Sequence, residues 1–128
     1  GLAFPKWNVD AGHWEFPHEV IDHAIESLVH RQKADAIIAH DDFWAAAMIR
    51  RLRGQGIRVP EDIAVVGYDD ISLAAYSSPA LTTVRQNIRH AGRILVESIL
   101  GLIRGEDVPD TTLSSELVLR KSSGARND

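Results

Sequence analysis

Two short apolar runs, each closed by a pair of acids and set between helical stretches, constrain this chain more than any other feature. ADAIIA at 34–39 ends in His40, Asp41 and Asp42, while IAVVGY, a strand over about 63–67, ends in Asp69 and Asp70. Runs this short and apolar read as strands of a parallel sheet, covered on both faces. Around them the spacing turns helical. Val20, Ile21, Ala24, Ile25, Leu28 and Val29 recur at i, i+3, i+4 intervals, which predicts an amphipathic helix over about 18–32 behind Pro17. Asp41 or Asp42 caps a second helix over about 43–53, which Gly54 and Gly56 stop. LTTVRQ at 81–86 predicts a third strand and SELVL at 115–119 a last one. The helix between them, 88–104, is apolar on most sides. Such a helix is buried on more than one face or exposed by truncation.

The resulting order, α, β, α, β, β, α, β, predicts an α/β fold, a parallel-sheet sandwich with helices on both faces. In such sheets ligands sit outside the carboxyl ends of the strands. Both acidic strand ends fall at that edge, and they are the first functional signal.

Composition removes several classes of function. A length of 128 residues allows one domain. The absence of cysteine excludes a disulfide framework, a thiolate metal site and a cysteine nucleophile. The longest apolar run, 43–49, is too short to cross a bilayer, and GLAFPKW is not a signal peptide. Without an initiator Met, the chain reads as processed or excised, cytoplasmic and with no membrane partner. Its net charge of −4 argues against nucleic-acid binding, and Arg50, Arg51, Arg53 and Arg58 read as a solvated helix face.

HEVIDH at 18–23 resembles a zinc-peptidase motif only superficially. Its i+4 residue is Asp22, and His23 is turned about 100° away from that position by the helical period. The pairs Asp41/Asp42 and Asp69/Asp70 could serve acid–base chemistry or hold a divalent cation, but no Ser or Lys is placed as a nucleophile. Asp42 and Asp70 also have the plainer reading of helix caps. No glycine pattern cradles a phosphate. The expectation is ligand binding without catalysis, metal or cofactor.

Several linked motifs then point the same way. VPEDIAVVGYDD, SPALTTVRQ and ELVLRKSS stand in order between Ala34 and Ser122, with a looser match through Gly12–Trp14. Together they resemble the effector-binding domain of the LacI/GalR-type bacterial transcriptional regulators. The resemblance implies a type I periplasmic-binding-protein fold, of which residues 1–128 are the C-terminal portion. The DNA-binding domain and the first half of the effector domain are absent. It implies a small-molecule effector, a sugar or other small molecule, held by Asp69, with Trp14 packing on a sugar face and Gln86 and Ile88 lining the cleft. His40 departs from the family, which usually reads Asn-Asp after this strand. Asp41 keeps the family aspartate, as cap or ligand. The family also implies a homodimer in which two segments meet their copies: Phe43, Trp44, Met48 and Arg51 from one helix, Leu73 and Tyr76 after the second strand. Operator DNA is then bound through the absent N-terminal domain. The alternatives are a periplasmic sugar-binding protein of a transporter and an enzyme built on the aspartates.

In a gel-shift assay the 128-residue chain is therefore expected to show no sequence-dependent retention of duplex DNA.

Overall fold

In the computed structural model, which describes residues 18–125, the first predicted helix divides in two. Helix α1 (His18–Ile25) passes into a π-helical segment, Glu26–Arg31. The wider winding brings residues five apart into register. Arg31 Nε donates to Glu26 Oε1 at 3.3 Å, Gln32 Nε2 to Ser27 Oγ at 3.1 Å, and Gln32 N–H to the Ser27 carbonyl at 3.1 Å. Across this change of winding the inward face becomes less enclosed: α1 buries Ile21 and Ile25, and no residue of 26–31 is fully buried.

Strand β1 (Ala36–Ile38) and helix α2 (Asp42–Gly54) follow, then strand β2 (Ala64–Val66) and the short helix α3 (Ser72–Tyr76). Strand β3 (Thr83–Arg85), helix α4 (Ile88–Ile103) and strand β4 (Glu116–Val118) complete the order, with a 3-10 turn at Lys121–Ser123. β1 and β2 pair in parallel, Ile37 opposite Val65, and Val66 bridges in parallel to Thr82. The last strand runs antiparallel to β3, with Val84 opposite Leu117.

The core forms where α1 and α2 lie on the sheet. Ile21 and Ile25 meet Ala45, Met48, Ile49 and Leu52, with Ile37, Ile63, Val65 and Leu81 beneath. Both ends of α2 are set by local chemistry. Asp41, extended at φ −150°, accepts the Trp44 N–H at 2.8 Å as its cap. Gly56, at φ +78°, turns the chain out of the helix, a conformation that suits glycine.

One expectation changes here. β1 is not covered on both faces: Ile37 is buried, but Ile38 is 80% exposed. Of the two readings of helix α4, the structure agrees with the exposed one, with Ile88, Leu95, Val96, Ile99, Leu102 and Ile103 exposed and only Gly101 buried. Among the described residues no helix is long and apolar enough to cross a membrane.

A buried polar clamp closes the sheet. Ser122 Oγ donates to the Val65 carbonyl at 2.5 Å and accepts the Thr82 N–H at 2.8 Å, so one hydroxyl serves two strands. Ser122→Ala leaves both backbone groups without a partner in a dry environment. It is expected to cost about 2 kcal/mol of stability, read as a lower urea midpoint at unchanged slope.

Candidate functional site

Three chain segments converge at the carboxyl edge of the sheet: 40–42 after β1, 68–71 after β2 and 86–88 after β3. Backbone bonds fix their spacing. Asp42 N–H donates to the Tyr68 carbonyl at 3.0 Å, and Asp69 N–H to the Val84 carbonyl at 2.9 Å.

The acids at this edge divide into distinct roles. Asp70 sits in an ion-pair cluster, its side chain 8% exposed. Its Oδ2 accepts Arg85 Nε at 2.6 Å and its Oδ1 accepts Arg120 Nη2 at 2.7 Å, while Arg85 also reaches Glu116 at 3.2 Å. Burial pushes the Asp70 carboxyl up, but the hydrogen bonds from Arg120 and Arg85 outweigh it and hold the group below the usual carboxylate range. Asp69 is half-buried and accepts one side-chain bond, from Gln86 Nε2 at 3.0 Å. The two neighbours differ, though not through strand alternation. β2 ends at Val66, and Asp69 and Asp70 stand at φ +99° and +48°, in the left-handed region. Neither caps α3, whose N-terminus has no side-chain cap.

After β1 the roles also separate. Asp41 is the helix cap, and its Oδ2 lies 3.2 Å from Nδ1 of the exposed His40. Asp42 is not a cap. It is fully buried, taking the Thr83 hydroxyl at 2.5 Å and the Ile71 N–H at 2.9 Å. A Cβ on Gly67 would lie 2.2 Å from Asp42 Oδ1, so this position requires glycine.

The edge therefore brings together Asp69, Gln86, His40 and Asp41, with Ile88 exposed at the start of α4. Trp14 lies outside the described residues. The sequence singles out Asp42 as a cap rather than a tie between segments, and it does not single out Thr83, Gly67 or Arg120. The acid pair and the glycine before Tyr68 were visible signals of a crowded strand end, but their partners come from distant segments.

The residues expected at a dimer face are distributed unevenly. Phe43, Leu73 and Tyr76 are exposed, Tyr76 at 88%, while Trp44 packs against the core. Met48 is a correction: it is buried in the chain's own core and offers no surface to a second copy. Arg51 pairs with Asp22 through both guanidinium nitrogens, Nε donating at 2.7 Å, and ties α2 to α1. That pairing gives Asp22 a structural role, and no cluster among the described residues could hold a metal ion. Two hollows, of about 320 and 490 Å³, lie toward the opposite end of α2 around Arg53 and Ser78, away from the acids.

Comparison with known proteins covers the same ground. Residues 4–123 match the model of the periplasmic binding protein-like domain. Over 119 residues the chain is 34% identical to the HTH-type transcriptional repressor PurR of Photobacterium profundum, a match covering 91% of this chain and 35% of that protein. The transcriptional regulator CelR–cellobiose complex superposes with a TM-score of 0.71 at 35% identity, over 84% of this chain and 34% of that one. A LacI family transcriptional regulator from Arthrobacter sp. FB24 in complex with lactose gives a TM-score of 0.67 at 38% identity, over 84% and 43%. The matches span 23–35% of the length of such curated PurR relatives.

The Asp70 cluster predicts an acid-sensitive contribution to stability. A carboxyl held lower in the folded chain than in the unfolded one stabilises above the unfolded value, about 3.9, and loses that effect as pH falls through the folded value. Asp70→Asn is expected to cost about 2–3 kcal/mol at pH 7. In urea titrations the gap between wild type and variant should narrow below about pH 4.

Proposed function

The chain belongs to the periplasmic binding protein-like domain family, in the form carried by LacI-type transcriptional regulators, and we propose that it senses a small polar effector at its strand-end edge. In this reading residues 1–128 are the C-terminal portion of the effector-binding domain. One observation carries it: Asp70 is neutralised by two arginines, whereas Asp69, its neighbour, keeps acceptor capacity beside a single exposed amide. A half-buried carboxylate with spare lone pairs suits a ligand rich in hydroxyl or N–H donors, because bonds to an ionised acceptor are about twice as strong as neutral ones.

Gln86, His40 and Asp41 add further polar contacts, and Ile88 an apolar one. Neutral imidazole at position 40 can both donate and accept a hydrogen bond. The role is binding without catalysis, in a cytoplasmic regulator. Phe43, Leu73 and Tyr76 on α2 and α3 form the self-complementary contact of a homodimer. Operator DNA is bound by another part of the regulator. The similarity to named repressors favours this over a sugar-binding protein serving a transporter.

A thermal-shift screen of the full-length regulator against sugars and nucleobases identifies the effector, since a ligand at 100 Kd adds about 2.7 kcal/mol of stability. With that compound, Asp69→Asn is expected to lose about 1.5–3 kcal/mol of affinity by calorimetry. Unchanged affinity in Asp69→Asn would overturn the assignment.

A further inference from the structure

Beyond the groups exposed at the edge, the structure assigns a positioning role to Asp42, which touches no solvent yet holds the two segments that carry Asp69 and Gln86. This inference rests on the reading of that edge as the effector site.

A fully buried carboxylate is costly unless protein donors replace its water. Asp42 finds its two side-chain donors in different places. Ile71 N–H, at 2.9 Å, lies just after the left-handed pair Asp69–Asp70, so Asp42 Oδ2 pins the far end of that turn. The Thr83 hydroxyl, at 2.5 Å, lies on β3 three residues before Gln86, so Asp42 Oδ1 pins the base of the segment that presents the amide. Thr83 Oγ1 also accepts the Asp70 N–H at 3.3 Å, which closes the arrangement into a loop through both segments. The backbone of Asp42 adds a third tie, to the Tyr68 carbonyl at 3.0 Å.

The surroundings are built for this carboxylate. Gly67 leaves it room where any Cβ would collide, and the first turn of α2 favours a negative charge. Capping does not account for it, since Asp41 caps the helix. Asp42 therefore fixes the separation and direction of Asp69 and Gln86 without touching a ligand itself. Removing its charge would let the 69–71 turn and the 86–88 segment drift apart while leaving the α1–α2 core in place.

The test is residue-resolved amide hydrogen exchange on the full chain, comparing wild type with Asp42→Asn, Thr83→Val and Thr83→Ser. Expected is faster exchange at Ile71 and Asp69, about tenfold or more, with Ile25, Ile49 and Leu52 unchanged, as befits a local opening. Thr83→Val should reproduce part of the effect, and Thr83→Ser, which keeps the hydroxyl, should restore wild-type rates. Acceleration of all amides together would show a role in global stability only and overturn the proposal, as would an unchanged Ile71 amide in Asp42→Asn. Calorimetry with cellobiose and lactose on the full-length regulator forms a separate arm. If neither sugar binds the wild type, the result counts against those two as effectors, while the exchange rates still decide the role of Asp42.

Discussion

The candidate site depends on a turn that the chain does not favour on its own. Asp69 and Asp70 both stand in the left-handed region, which costs an L-residue about 1–2 kcal/mol and which Asp tolerates better than most. Such a conformation persists only when its surroundings over-determine it. Here the Asp69 N–H is bonded to β3, the Asp70 carboxylate lies between Arg85 and Arg120, and the Ile71 N–H is held by Asp42. The ties come from three separate parts of the chain: β3, Arg120 and the start of α2. The turn is thus a product of the folded sheet, and it raises Asp69 out of the strand's pleat.

That geometry separates two chemically identical neighbours. Asp70 is buried and paired, so its charge is spent inside the protein. Asp69 carries one amide bond and is half open to solvent. The same division recurs after β1, where Asp41 caps a helix and Asp42 is enclosed. Of the four acids at the edge, Asp42 and Asp70 are enclosed, Asp41 caps a helix beside His40, and Asp69 is half-buried beside Gln86. The edge is therefore polar, and its groups are held by hydrogen bonds from several segments.

Much of this was legible in the sequence, because short apolar runs ending in acids specify strands that stop at a ligand-bearing edge. Gly54, Gly56 and the acid before Phe43 placed α2 closely. What stayed hidden was tertiary. Arg120 reaches Asp70 across fifty residues, and no local pattern announces it. Asp42 and Asp41 look alike in sequence, and only the approach of Thr83 and Gly67 makes one of them structural. The resemblance places Met48 at a dimer face with Phe43, but its position on the helical circle turns it into the core. Ile38 sits in an apolar run, which reports that a residue is apolar and not what lies over it.

The most direct test of the central claim is an amide chemical-shift titration of the full-length regulator with the compound that stabilises it most. The account predicts that the largest shifts fall on Asp69, Gln86, His40 and Asp41, with Arg53 and Ser78 unmoved. Shifts concentrated around Arg53 and Ser78, with Asp69 and Gln86 silent, would place the effector in the hollows at the other end of α2 and contradict it.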